Sequence, residues 1–147
     1  MKKQLWLLFI ILFISVIAFG ANESKIFITL TTDKQVYQPK DPIAMALTVC
    51  NSGSQSYQAI FSSGKKYDFF LNDANGKEVW KWSGDKLFSQ AFSKMALEPG
   101  KPKTYVIVFD QVLPSGEKLK AGKYKLVGVL TKTEKEFKSE PVEIEVR

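Results

Sequence analysis

The stretch YDFFLNDANGKEVWKW, Tyr67 to Trp82, contains two apolar runs on either side of a turn signal. Both runs follow, for the most part, the period of two that is typical of half-buried β-strands. Asn75-Gly76 between them is typical of a tight hairpin connection. The stretch therefore predicts an antiparallel hairpin with residues 74–76 as its loop, Gly76 in the left-handed region and a bulge beside it.

This turn predicts a register for the hairpin, and the register predicts which side chains share a face. Because side chains alternate across a strand, Trp80 and Trp82 are predicted to lie beside Phe70, on the face opposite Leu71 and Val79. The predicted pairs are Asp73 with Lys77, Leu71 with Val79, Phe70 with Trp80, and Asp68 with Trp82.

Both faces of such a hairpin would be apolar, whereas a sandwich has one core, so the second face needs a cover. One candidate cover is the following segment, 83–92, folded back so that Leu87, Phe88 and Phe92 pack on the tryptophans. The other is a binding partner, since contiguous exposed aromatic area marks interaction sites and Trp is enriched at binding hot spots. Core packing of at least one tryptophan is the competing interpretation.

The rest of the chain repeats the alternating pattern in short runs with almost no helical periodicity. About eight runs separated by turn clusters predict an all-β, antiparallel sandwich. Residues 131–140 are polar and charged, and we expect an exposed loop there. The predicted strands centre on Ile28, Leu47, Ala59, Phe69, Val79, Ile107, Leu126 and Ile144.

The first twenty residues resemble a secretory signal peptide. Lys2 and Lys3 precede an apolar run over 5–19, and Ala18-Phe19-Gly20 supplies small residues for cleavage before Ala21. An uncleaved anchor is the alternative, but a spanning helix needs about 20 apolar residues. We therefore predict a signal peptide over 1–20, a single domain over 21–147, and a secreted or cell-envelope protein with no membrane attachment after cleavage.

The composition excludes several functional classes. There is no histidine and one cysteine, which excludes Ser-His-Asp and Cys-His catalysis, His-containing and Cys-rich metal sites, and an internal disulfide. Removing residues 1–20 leaves 19 basic and 15 acidic residues, a net charge of +4 that is spread along the chain, so we expect no nucleic-acid partner. Residues 73–76 resemble the start of a calcium loop but lack the further acidic ligands, so we expect no metal and no cofactor. A hydrolase using two of the carboxylates remains the enzymatic alternative; the candidates are Asp68, Asp73, Glu78 and Asp85.

Several segments in a fixed order resemble one known family. They are FSSGKKYD over 61–68, KEVWKWS over 77–83, KLFSQAF over 86–92, LEPG over 97–100 and AGKY over 121–124. From about residue 25 to 146 the chain resembles the BsuPI family of bacterial intracellular proteinase inhibitors, most densely over 61–92. The resemblance implies an immunoglobulin-like sandwich and a non-enzymatic inhibitor of serine proteases. The positions that match the family pattern are Ser62, Gly64, Trp80, Trp82, Phe88, Gln90 and Ala91.

These observations give two functional hypotheses. The first is an exported serine proteinase inhibitor that meets secreted or envelope proteases, with candidate binding loops at 62–66, 83–86 and 132–138. The second is an immunoglobulin-like envelope module that binds or supports without inhibiting a protease. The candidate partner-binding residues are Trp80, Trp82, Ser83, Lys86, Phe88, Gln90, Ser62 and Gly64.

Overall fold

The computed structural model describes residues 25–147, so the predicted signal peptide lies outside the described residues. The described part is built from β-strands and one short 3₁₀ turn, Trp82–Asp85. None of its helical structure has the length and apolar character that a membrane crossing requires. The prediction of an all-β fold is confirmed.

Two sheets form the layers of a sandwich. The smaller has the order β1 (Ile26–Thr32), β3 (Ile43–Asn51), β8 (Lys103–Phe109). The larger has the order β2 (Val36–Tyr37), β11 (Val142–Val146), β9 (Gly122–Leu130), β5 (Tyr67–Asp73), β6 (Glu78–Lys81), and β10 (Phe137–Lys138) also pairs with β9. A separate pair joins β4 (Tyr57–Phe61) to β7 (Ser93–Leu97). The pairing is antiparallel except between β2 and β11, which run parallel.

The eight predicted strands are all present, and three more accompany them. β2 and β10 have two residues each, too few to show alternation. β10 lies within residues 131–140, so the exposed loop predicted there is interrupted by one two-residue strand and is otherwise mostly irregular and exposed. β7 carries Met95 and Leu97, both buried, at the spacing of two that marks a strand.

The core lies between the two sheets and is centred on β3. Every second residue of β3 points inward, as the period of two requires, and these side chains are at most 1% exposed. Burying a side chain of this size contributes about 1.5–3 kcal/mol relative to leaving it exposed. The inward side chains of β3 are Ile43, Met45, Leu47 and Val49, and those facing them include Phe69, Leu71 and Leu126.

A buried asparagine joins the β4–β7 pair to the end of β3. Asn51 Nδ2 donates to the carbonyl oxygens of Leu97 at 2.8 Å and Gln55 at 2.7 Å, and its Oδ1 accepts from Gly53 N–H at 2.9 Å. An amide left unpaired in the interior costs about 1–3 kcal/mol, so these bonds stabilise this corner. The corner fixes the position of β7, the strand that directly follows residues 86–92 in the chain.

The predicted hairpin turn is confirmed. Gly76 has φ 82°, in the left-handed region that glycine adopts without strain, and its N–H donates to Asp73 O at 3.0 Å. Asp73 Oδ1 also accepts from the N–H groups of Asn75 and Lys77, each at 2.9 Å. The Asp73 carboxylate therefore stabilises the turn.

The predicted register of the hairpin is wrong beyond the turn. Leu71 pairs with Trp80, and Phe70 pairs with Lys81, because a β-bulge inserts Val79 as an extra residue in β6. An extra residue reverses the facing of every side chain that follows it. Trp80 and Trp82 thus lie on the core face with Leu71, and Lys81 lies on the outer face, with its Nζ 5.6 Å from the centre of the Phe70 ring. The predicted grouping of the tryptophans with Phe70 is wrong.

Candidate functional site

Trp80 closes one side of the sandwich. Its indole stacks on the ring of Phe109 from the opposite sheet, with 4.3 Å between ring centroids and 24° between planes. Phe109 is 3% exposed, so Trp80 packs on the core. Trp80 itself is half-buried. The bulge in β6 creates this contact, which makes Trp80 a packing residue.

Trp82 lies in a row of aromatic rings that runs from the core to the surface. Tyr105 stacks on Tyr67 at 4.3 Å, Tyr67 stacks on Trp82 at 4.7 Å, and Trp82 meets Phe88 at 5.9 Å with a 50° tilt. Burial raises the pKa of Tyr105. The row connects β8, β5, the 3₁₀ turn and the chain that follows it, so Phe88 is anchored to the core through Trp82.

A buried carboxylate holds the 3₁₀ turn in place. Asp68 is 0% exposed and accepts from Ser83 Oγ at 2.5 Å, Ser83 N–H at 3.1 Å and Lys65 Nζ at 3.0 Å. Hydrogen bonds to a charged acceptor contribute about 1.5–3 kcal/mol each. Both oxygens of Asp68 are therefore occupied by structural partners, which leaves it unsuited to act in a catalytic carboxylate pair.

Residues 86–92, which we call the 86–92 segment, have no regular secondary structure. Lys86 has extended backbone angles, φ −110° and ψ 147°. Leu87 is 100% exposed and Phe92 is 75% exposed, whereas Phe88 between them is half-buried against Trp82. The expectation that all three side chains pack on the tryptophans is thus correct for Phe88 and wrong for Leu87 and Phe92.

The 86–92 segment is tied to the loop over residues 62–66. Gly64 N–H donates to Ser89 O at 2.8 Å. A Cβ at position 64 would lie 2.8 Å from Ser89 Oγ, so glycine allows this close approach. The loop is itself tied to the residue that follows β9, because Thr131 Oγ1 donates to Lys65 O at 2.7 Å.

Lys86 is engaged in local interactions. Its Nζ lies 2.9 Å from Asp85 Oδ1 and 5.1 Å from the centre of the Trp82 ring. The hydrogen bond from Lys86 lowers the pKa of Asp85. The ammonium group is therefore folded back on the turn.

The structure brings most of the predicted site residues together. Gly64, Trp82, Ser83, Lys86 and Phe88 are linked by the contacts described above, and Gln90 joins them because its Nε2 donates to Phe88 O at 3.2 Å. Ser62 is exposed in the adjoining loop. Trp80 is separate from this group, because its ring faces Phe109.

Sequence reasoning missed two features of the site. The exposure of Leu87 was not predicted, although the alternating pattern ends at the tryptophans and leaves this residue without a strand face. The partnership of Gly64 with Ser89 has no local signal, because it joins residues 25 positions apart.

Within residues 25–147, no three His, Cys, Asp or Glu side chains are grouped so as to hold a metal ion.

The solved structures that align with this chain are much longer proteins, and the chain matches only a part of each. A β-glucosidase from Erythrobacter marinus is 12% identical with a TM-score of 0.49, and one from Listeria innocua in complex with isofagomine is 17% identical with a TM-score of 0.49. Each alignment covers 84% of this chain and 16% of the other. The alkylpurine DNA glycosylase AlkC of Pseudomonas fluorescens, bound to DNA containing an abasic site analog, is 11% identical with a TM-score of 0.53 over 84% of this chain and 31% of that one. At 11% identity the likeness to AlkC concerns the fold alone.

No curated protein matches the chain. Residues 30–135 match the BsuPI family, described as intracellular proteinase inhibitor. The match covers more than two thirds of the 147 residues and includes the whole of the site from Ser62 to Phe92. The chain therefore belongs to the BsuPI family of proteinase inhibitors.

Proposed function

We propose that the protein is an exported, non-enzymatic inhibitor of serine proteases that binds its target through the 86–92 segment and the adjoining 62–66 loop. One observation carries the proposal: in a member of a proteinase inhibitor family, an exposed segment is held in place from both sides. The segment is fixed before Leu87 by the 3₁₀ turn and after it by Phe88 and Ser89.

This fixed geometry suits inhibition because ordering a loop on binding costs affinity. Each immobilised side chain costs about 0.5–1.5 kcal/mol, and a loop ordered in advance avoids much of that cost. Protease–inhibitor interfaces bury about 800 Å² on each partner. Here Asp68, Trp82 and Gly64 provide the order that disulfides provide in many small secreted inhibitors.

The export part of the proposal is supported by the pattern of residues 1–20. Expression of the full chain in a secreting host, followed by mass analysis of the product, tests it. We expect a protein that starts at Ala21 and is found in the medium or the envelope fraction. A cytoplasmic product that retains Met1 to Gly20 would contradict export.

The inhibitory part is tested by titrating residues 21–147 against subtilisin, chymotrypsin and trypsin, with a cysteine protease and a metalloprotease as controls. We expect stoichiometric inhibition of at least one serine protease and none of the two control classes. Full activity of all three serine proteases at a micromolar excess of the protein would contradict the proposal.

A second candidate is a cell-envelope interaction module without inhibitory activity. The outer face of the smaller sheet favours it, because Phe27, Val106 and Val108 are 56%, 65% and 61% exposed there. Affinity capture from envelope extract by the wild type and by Val106→Lys distinguishes the candidates. A wall or surface partner that is lost with Val106→Lys, with no protease captured, would favour the module.

A further inference from the structure

We propose that Leu87 is the side chain that enters the specificity pocket of the target protease, and that this pocket is apolar. The inference rests on the proposed inhibitory function and adds to it the anchoring residue and the chemical class of the target. Serine proteases differ mainly in this pocket, which is acidic in trypsin-like enzymes and apolar in others.

The exposure of Leu87 is the first observation. It is 100% exposed, the highest value among the large exposed apolar side chains of residues 25–147. Apolar side chains gain most on binding when they move from full exposure to full burial. Among these side chains, Leu87 thus has the largest exposed fraction that binding could bury.

The fixed backbone on both sides of Leu87 is the second observation. Before it, Lys86 N–H donates to Ser83 O at 3.2 Å, and Ser83 is held by Asp68. After it, the Phe88 ring lies 5.9 Å from that of Trp82, and the next residue accepts the 2.8 Å bond from Gly64. Leu87 is the one residue between these two anchors, so the structure presents it outward in a single place.

The engagement of Lys86 is the third observation, and it separates the two kinds of pocket. A lysine anchor would suit an acidic pocket, but Lys86 Nζ is bound to Asp85 and lies over the Trp82 ring. Insertion of Lys86 would break both contacts, whereas insertion of Leu87 breaks none. The geometry therefore favours an apolar pocket over an acidic one.

The test is an exchange of specificity by single substitutions. Inhibition constants are measured for wild type, Leu87→Ala and Leu87→Lys against subtilisin, chymotrypsin and trypsin. Val106→Lys is the matched control, because it makes the same change of an exposed apolar residue on the outer face of the smaller sheet, outside the 86–92 segment. Thermal melts confirm that each variant is folded.

We expect wild type and Val106→Lys to inhibit a protease with an apolar pocket and to leave trypsin active. Leu87→Ala should weaken inhibition by about tenfold to a hundredfold. Leu87→Lys should lose inhibition of that protease and gain inhibition of trypsin.

Three results would overturn the inference. An unchanged inhibition constant for Leu87→Ala would remove Leu87 as the anchor. If Leu87→Ala weakens inhibition but Leu87→Lys does not inhibit trypsin, Leu87 binds outside the specificity pocket. A wild type that inhibits trypsin, and neither subtilisin nor chymotrypsin, would assign the anchor to a lysine. A wild type that inhibits no serine protease would instead contradict the proposed function itself.

Discussion

The indole of Trp80 and the ring of Phe109 stack across the sandwich at 4.3 Å, although the two residues belong to different sheets. Two positions further along the chain, Trp82 stacks on Tyr67 at 4.7 Å and carries Phe88 on its outer side. The two tryptophans therefore have different surroundings. One joins the sheets, and the other supports the 86–92 segment.

The first prediction separates the two tryptophans. Trp80→Ala should lower the free energy of unfolding by about 3 kcal/mol, because it removes a core-spanning ring, and leave the inhibition constant of the folded protein within about twofold. Trp82→Ala should also destabilise, but it should weaken inhibition by about tenfold or more because Phe88 loses its support. Urea denaturation and protease titration measure the two effects. Equal effects of both substitutions on inhibition would contradict the assignment.

The second prediction concerns the bond between Ser83 and Asp68. Ser83→Ala should lower the free energy of unfolding by about 2 kcal/mol, since the buried Asp68 carboxylate loses a charge-assisted hydrogen bond. Ser83→Thr keeps the hydroxyl group and serves as the matched control, with a smaller expected loss. Denaturant titrations of the three proteins measure the difference. Identical midpoints for Ser83→Ala and wild type would show that the bond is dispensable.

The third prediction concerns the contact of Gly64 with Ser89. Gly64→Ala places a methyl group 2.8 Å from Ser89 Oγ and should displace the 86–92 segment, which weakens inhibition with little change in the melting temperature. Ser89→Ala removes that oxygen and should restore part of the inhibition in the double variant. A Gly64→Ala protein that inhibits as well as wild type would contradict the coupling of the two loops.

The fourth prediction is a dependence of stability on pH above 10. Burial, with a further contribution from the hydrogen bond to Asp33, raises the pKa of Tyr37 from 10.0 to about 12. Because the folded state favours the neutral hydroxyl, its contribution is complete below pH 10 and is lost as the pH rises through 12, a change of about 2–3 kcal/mol. The gap in unfolding free energy between wild type and Tyr37→Phe should narrow over this range. A gap that stays constant from pH 9 to 12 would contradict the assignment.

The turn of the hairpin follows from sequence, but its register does not. Asn75-Gly76 carries the turn geometry in its own backbone preferences, so residues 74–76 were predictable. The bulge at Val79 has no local signal, because the contact that it allows joins Trp80 to Phe109, and Phe109 lies 29 residues further along. Tertiary packing thus determines on which face of the sheet the two tryptophans lie.

The residues of the candidate site could also be predicted only in part, because some of their contacts form only when the chain folds. The dense resemblance over 61–92 identified Gly64, Trp82 and Phe88 as residues of one segment, and the structure brings them together. The exposure of Leu87 follows from the anchors on both sides of it. Those anchors depend on the bond of Asp68 to Ser83 and on the bond of Gly64 to Ser89, and both bonds form only after the chain has folded.

Hydrogen exchange on the complex tests the location of the binding surface most directly. The protein is mixed with a target protease whose catalytic serine is replaced by alanine, so that the active site stays open and nothing is cleaved. We expect the amide groups of the 86–92 segment and the 62–66 loop to gain protection, while the outer face around Val106 and Val108 is unchanged. Protection on that outer face with none over 86–92 would contradict the proposed site.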